Sequence, residues 1–338
     1  GIQSTNVKHA WIILLFIYSG IASLIPVWIL LQPRDYINSH QLIVGLSLIF
    51  LSIFLIQPKI IAPAITNLDK GPPIIPFLFV TIACGAISGF HGLVSSGTTS
   101  KQVDKMKDAR MIGYGATLGE GSLALAATVA AIAGLSFVNM QNDLCLPWAC
   151  DFNNAKAGAL NVFINGSSGL LQQIGLSQGL STTLIVVLVV SFAATTLDSA
   201  TRIQRYIITE FGSATKFKIF ENKYFATLIS IIPAYFIATN NDLRNELWQT
   251  FGASNQMLAA LTLMVLSIYF WKKRKNIVPL VIPMIIIMLI TISALIIRFN
   301  QSTTFLLKMI NGVLILLIIW MILEGLAYCF KKIKSKNE

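Results

Sequence analysis

Two ionisable side chains, His91 and Glu120, stand in stretches that are otherwise apolar and rich in glycine. His91 lies in SGFHGLVSSGTTSKQ (Ser88 to Gln102) and Glu120 in DARMIGYGATLGEG (Asp108 to Gly121). A carboxylate and an imidazole in a low-dielectric setting can share a proton, because burial disfavours each charged form and a facing partner restores it. His91 comes nine residues before Ser100, and Glu120 nine residues after Met111. At about 1.5 Å per residue in continuous helices, both would lie about 14 Å from one membrane boundary, near the bilayer centre. The pair is therefore the expected proton-coupling site. The alternative is a protonated Glu120 bonded to a helix carbonyl, with His91 merely packed.

The same two stretches carry Gly85, Gly89, Gly92 and Gly97, then Gly113, Gly115, Gly119 and Gly121. Glycine in a helix interior costs about 1 kcal/mol relative to alanine, so the clustering needs a cause. Close helix packing through small residues is one. A discontinuous helix with exposed backbone groups is the other. In the second arrangement Gly89, Gly92, Ser95, Ser96, Gly97, Thr98 and Thr99 would offer backbone and hydroxyl groups to a substrate, with Tyr114 beside them. Helix amino termini favour anions, which suits a carboxylate.

Three further positions are candidates. Asn255 and Gln256, in LWQTFGASNQMLAAL, lie about 10 Å inside the opposite boundary, where amides either tie helices together or coordinate a ligand. Asp198, in TTLDSATRIQRY, precedes Arg202 by four residues, the spacing of an intrahelical ion pair. A gate is the second reading of Asp198 and Arg202. Lys101, Lys105 and Arg110 could draw anions to a pore mouth, but they also serve as topology determinants.

Composition says what must position these residues. The chain has 338 residues, 55% of them hydrophobic and only 12% charged, with a mean hydropathy of +0.73. That excludes a soluble domain, whose surface needs more charge. Runs long enough to cross a bilayer recur near 10–31, 42–56, 74–96, 111–137, 180–200, 224–238, 248–271, 278–297 and 305–328. The expected fold is an all-α transmembrane bundle of about nine spans in one domain, residues 1–338.

The net charge of +11 does not point to nucleic acid. Its basic residues collect in alternate connections, among them Lys101, Lys105, Lys107 and Arg110, then Lys272, Lys273, Arg274 and Lys275. The positive-inside rule then places the carboxyl terminus in the cytoplasm and residue 1 outside. Arg34 is counted with the cytoplasmic set. Residues 142–179 form an external connection holding ALNVFINGSSGLLQQIGL, read as an ordered loop or a re-entrant helix. Cys145 and Cys150 fall in it, as a disulfide or as two unpaired thiols. Residues 201–223 form a polar, basic cytoplasmic connection. The opening GIQSTNVKHA has neither an initiator methionine nor a signal-peptide pattern, so a fragment lacking upstream helices is expected.

Several other chemistries fail on spacing. GLVSSGTT has Thr98 where a phosphate-binding loop needs lysine, and Ser95 and Ser96 lack the glycine framing of a nucleophile elbow. His9, His40 and His91 are far apart, without the paired spacing of a metal site. No cofactor and no enzymatic activity are expected.

Five blocks resemble the carbon starvation protein A family of bacterial membrane proteins. They are IPVWILLQPRDYINS (Ile25 to Ser39), FLFVTIACGAISGFHGLVSSGTTSKQ (Phe77 to Gln102), the stretch around Glu120, TTLDSATRIQRY (Thr195 to Tyr206) and LWQTFGASNQMLAAL (Leu247 to Leu261). They run in the family's order. The resemblance implies an inner-membrane protein of the starvation response, linked to peptide uptake and in some members to proton-coupled pyruvate import. It also implies a LeuT-like fold of two inverted five-helix repeats. Family members begin with additional spans, and GATLGE differs slightly from the family's phrase although Glu120 is retained.

The expected function is a secondary transporter for a small carboxylate or short peptide, coupled to protons. A sodium-coupled transporter is the nearest rival, since carbonyls and hydroxyls at broken helices also bind that ion. A membrane sensor or scaffold that moves no solute is the second class. The expected partners are substrate and lipid bilayer, with the oligomeric state left open.

Overall fold

A computed structural model describes residues 2–64, 74–138, 152–302 and 304–337. Among them all regular structure is helical. The helices are α1 (Ile2–Leu24), α2 (Val27–Ile56), α3 (Phe79–Ala86), α4 (Gly89–Gly97), α5 (Asp108–Ile132), α6 (Phe152–Gln173), α7 (Gln178–Thr215), α8 (Lys218–Glu221), α9 (Lys223–Thr239), α10 (Asn241–Lys272), α11 (Val278–Gln301) and α12 (Phe305–Asn337). Short turns precede α3 (Ile74–Leu78) and follow α4 (Thr99–Lys101) and α5 (Gly134–Phe137).

Seven stretches among the described residues are long and apolar enough to cross a membrane: Val27–Ile56, Ile74–Lys101, Asp108–Ile132, Gln178–Thr215, Thr250–Lys272, Val278–Gln301 and Phe305–Tyr328. Two further apolar helices, His9–Leu24 and Lys223–Thr239, are shorter. The chain is an integral membrane protein.

Three boundaries differ from the sequence expectation. The first break falls at Ile25–Pro26, inside the expected span 10–31, because Pro26 lacks an N–H and its fixed φ of −54° favours a helix start. The polar run 32–41, expected as a connection, is the interior of α2. It stays helical because α7 supplies its partners. Asn38 Nδ2 donates to the Ser191 carbonyl at 3.4 Å, and Gln41 Oε1 accepts from Ser191 Oγ at 3.0 Å. Arg34 is therefore a packed side chain of α2 instead of a loop cation.

The external connection 142–179 contains the 22-residue α6. Glycines let α6 lie directly on the end of α5 and the turn after it: a Cβ added at Gly134 would strike the Gly166 backbone, and one at Gly166 the Ala130 backbone of α5. Cys145 and Cys150 lie outside the described residues. The third difference is α7, which continues to Thr215 through most of the expected 201–223 connection. It ends where Lys216 adopts a left-handed φ of 62°, and α8 then folds back so that Phe220 packs on Gly212.

The chain forms two compact units. The first comprises Gly1–Gly71 and Gln102–Pro233, the second Pro72–Lys101 and Ala234–Glu338. The core of the first joins α2, α5, α6 and α7 through Ile49, Ala126, Ala130, Leu170, Leu171 and Ile185. In the second, α3, α4, α11 and α12 all pack on α10. Gly325 of α12, for example, admits the Met264 thioether of α10.

Candidate functional site

In the second unit the third hydrophobic stretch is broken at its middle. Ile87 (φ −134°, ψ 67°) ends α3, with its amide on the Ala83 carbonyl at 2.7 Å, and Ser88 is extended (φ −80°, ψ 126°) before α4 begins. A helix start leaves its first amides without intrahelical partners. Ser88 does not cap α4 with its own side chain. The cap comes from α10: Asn255 Oδ1 accepts the Phe90 amide at 3.0 Å and the Ser88 hydroxyl at 3.2 Å. Asn255 Nδ2 donates to Cys84 Sγ at 3.2 Å and to Ser88 Oγ at 3.0 Å. One amide thus bridges the last turn of α3 and the first turn of α4.

Gly89 and Gly92 make this possible. A Cβ at Gly89 would collide with the Asn255 carbonyl oxygen, Leu258 Cβ and the Ala259 amide, and one at Gly92 with Thr262 Oγ1. Both glycines face α10 at helical spacing, so α4 rests on the backbone of its neighbour. Beside Asn255, Gln256 is fully buried, donating to the Val80 carbonyl of α3 at 3.3 Å and accepting from Thr291 Oγ1 of α11 at 3.3 Å. The two amides expected either to tie helices or to coordinate a ligand are thus seen tying helices.

The hydroxyls of α4 bond to their own helix. Ser95 Oγ and Ser96 Oγ donate to the Gly92 carbonyl at 3.0 and 2.9 Å, and Thr98 Oγ1 donates to the Val94 carbonyl at 2.9 Å. Thr98 is buried, whereas Ser95 and Ser96 are exposed and keep acceptor lone pairs outward. Gly97 is the last residue of α4, and Thr99 opens the short turn that follows.

His91 is exposed on α4 and belongs to the second unit. Glu120 is exposed at the midpoint of α5 in the first unit. A Cβ added at Gly113, Gly115, Gly119 or Gly121 would meet no atom within 4 Å, so α5 has open space on more than one side along this stretch. Tyr114 is exposed on the same helix, with the Arg110 guanidinium 5.9 Å from its ring centre.

The first unit holds a polar node that sequence reasoning found only in part. Asp198 and Arg202 do not pair along α7 as their spacing suggests; each takes its partners from outside α7. Both Asp198 oxygens accept from the Arg34 guanidinium of α2: Oδ2 from Nη1, and Oδ1 from Nη2 at 3.1 Å. Such a two-point pair has matched geometry that a single contact lacks. Arg202 instead donates to the Ala22 carbonyl at 2.5 Å and to the Ile25 carbonyl at 2.8 Å. It caps the carboxyl end of α1, where carbonyls lack amide partners and the helix dipole favours a cation. Arg34 Nη1 also donates to Tyr18 Oη of α1 at 3.2 Å. Tyr18, Arg34, Ser88 and Thr291 were missed, and Arg34 was missed because a proline and an adjacent acid made its surroundings look like a loop.

The sequence matches the profile of the family described as carbon starvation protein CstA over residues 3–146 and 149–294. It is 31% identical over 314 residues to the Peptide transporter CstA of Helicobacter pylori (strain ATCC 700392 / 26695), covering 78% of this chain and 45% of that protein. Against the Peptide transporter CstA of Bacillus subtilis (strain 168) it is 29% identical over 304 residues, covering 79% and 50%. A shorter stretch of 123 residues is 46% identical to the Pyruvate/proton symporter BtsT of Escherichia coli (strain K12), covering 34% of this chain and 17% of that protein. The chain spans about half the length of the curated relatives named first. No solved structure matches it. With its family profile matched along most of its length, the chain belongs to the carbon starvation protein CstA family.

Proposed function

We propose that this chain forms part of a secondary active transporter of the bacterial inner membrane, taking up pyruvate or short peptides with protons during carbon starvation. It crosses the bilayer nine times, with α1 and α9 joining the seven longer stretches and the carboxyl terminus in the cytoplasm. The arrangement is of the LeuT-like, inverted-repeat kind. The observation that carries the proposal is the break at Ile87–Ser88, in the middle of a stretch apolar enough to cross the membrane. Irregular backbone at that depth is tolerated where protein or a water-filled cavity surrounds it, and transporters place substrates at such interruptions. The relatives' names point the same way.

Substrate groups approach the exposed side of α4, where Ser95 and Ser96 retain acceptor capacity, while Gly89, Gly92 and Asn255 hold the break in shape. Glu120 and His91 are the candidate proton carriers. An ionisable side chain within a span is costly, so its presence there marks a functional position by default.

The test is uptake of radiolabelled pyruvate and of a labelled dipeptide into membrane vesicles containing the protein, under an imposed proton or sodium gradient. Accumulation of either solute driven by the proton gradient supports the proposal. Accumulation driven by sodium alone replaces the coupling ion. No accumulation of either solute sinks it.

A further inference from the structure

Arg205 of α7 is buried, at 8% exposed, and makes no ion pair among the described residues. Its Nε has no hydrogen-bond partner, and the guanidinium lies 4.7 Å from the Tyr206 ring centre. Arg202, one turn earlier, is buried as well but has the Ala22 and Ile25 carbonyls. Asp198, two turns before Arg205 and about 10 Å along the helix, gives both its oxygens to Arg34. Glu210, further along α7, is exposed and lies about 140° round the helix from Arg205. Two guanidiniums are thus buried one turn apart, and the second has no anion. A ring face offsets part of that cost, but a buried charge requires a counter-charge.

The length of α7 places Arg205 relative to a bilayer. It stands about 40 Å along the helix from Gln178, the first residue of α7. A hydrocarbon core is about 30 Å thick, and about 40–45 Å with both headgroup layers. With Gln178 at one boundary, Arg205 lies among the headgroups of the other. A separate observation marks the same level. Arg205 and Gly212 share a face of α7 two turns apart, and Gly212 is where α8 folds back. Around that fold Phe217, Ile219 and Tyr224 are exposed, beside exposed Lys216, Lys218 and Lys223. Aromatic and apolar side chains interleaved with lysines suit a membrane–water interface, and the positive-inside rule makes it the cytoplasmic, anionic one.

We propose that Arg205 binds the phosphate of an anionic phospholipid in the headgroup layer. A guanidinium presents paired N–H donors in one plane, matched to two oxygens of one phosphate. The lipid supplies the negative charge that the chain itself does not place beside Arg205. The surface lysines attract anionic lipid to this end of α7 without fixing its position, because an exposed ammonium is a mobile, hydrated point charge. The site does not depend on the transport proposed above.

The test is native mass spectrometry and thermal unfolding of the delipidated whole chain in a non-ionic detergent. It is titrated with phosphatidylglycerol, with a diacylglycerol of the same acyl chains, or with inorganic phosphate. Phosphatidylglycerol should bind and raise the melting temperature, whereas the diacylglycerol should do neither. Arg205→Met keeps an apolar stem and removes the charge. Without lipid it should melt no lower than the parent, since an unpaired buried cation is gone, and it should bind phosphatidylglycerol about tenfold more weakly. Arg205→Lys should recover part of that binding, and Lys218→Gln should lose less than Arg205→Met. Equal binding of phosphatidylglycerol and the diacylglycerol by the parent overturns the proposal, even if Arg205→Met does not fold. So does parent-like lipid binding in Arg205→Met, or a loss as large in Lys218→Gln. Inorganic phosphate that stabilises the parent as well as phosphatidylglycerol does also overturns it, because the site would then take a free anion instead of a lipid.

Discussion

Asn255 accepts the amide of Phe90 at 3.0 Å although the two residues are 165 positions apart. A helix broken in mid-span is thereby capped by a side chain of another helix. Replacing Asn255 with alanine leaves the Phe90 amide and the Ser88 hydroxyl without this partner. A buried group so stranded costs about 1–3 kcal/mol. Asn255→Ala should therefore melt measurably lower in detergent than the parent. Ser88→Ala, which leaves the Phe90 cap intact, should lose less, and equal losses would contradict the cap.

Glycines on α4 and α5 should respond oppositely to the same change. Gly89→Ala drives a methyl into the α10 backbone and should cost about 1–3 kcal/mol as the helices shift apart. Gly113→Ala and Gly119→Ala meet open space and should gain up to about 1 kcal/mol from better helix propensity. Thermal unfolding of the three variants distinguishes the two faces. A loss of uptake in Gly119→Ala at full stability would show that the open space beside Gly119 is used.

Glu120→Gln should abolish accumulation driven by a proton gradient at normal protein abundance, since the exposed side chain keeps its shape and loses only its charge. His91→Gln should reduce it. Normal uptake in either variant removes that residue from the proton path.

Arg202→Met should destabilise the fold by about 1.5–3 kcal/mol, the range for hydrogen bonds to a charged group. It removes both bonds to the carbonyls at the α1–α2 elbow. Arg202→Lys should recover part of that loss, since an ammonium still favours a helix carboxyl end. A Met variant that unfolds with the parent would show that the elbow does not need its cap.

The third span illustrates what could be read without coordinates. Its glycines and its histidine marked it as unusual, and an interruption was one of two readings. What held the interruption was not legible, because Asn255 is remote in sequence and amides look the same whether they tie helices or bind ligands. Arg34 failed for a related reason. Proline and charge near residue 34 resemble a loop, and only the oxygens of Asp198 and the carbonyl and hydroxyl of Ser191 turn that segment into helix interior.

Composition and the spacing of apolar runs determined by themselves that this is a helical membrane protein, because a bilayer requires long apolar segments whose backbone is satisfied internally. The five quoted blocks determined its family. Tertiary structure decided the rest: which arginine meets Asp198, which amide the Asn255 side chain reaches, and whether residues 152–173 are helix or loop. Those outcomes depend on partners brought from distant segments, and a charged or amide side chain takes whichever partner the packed helices place within about 3 Å.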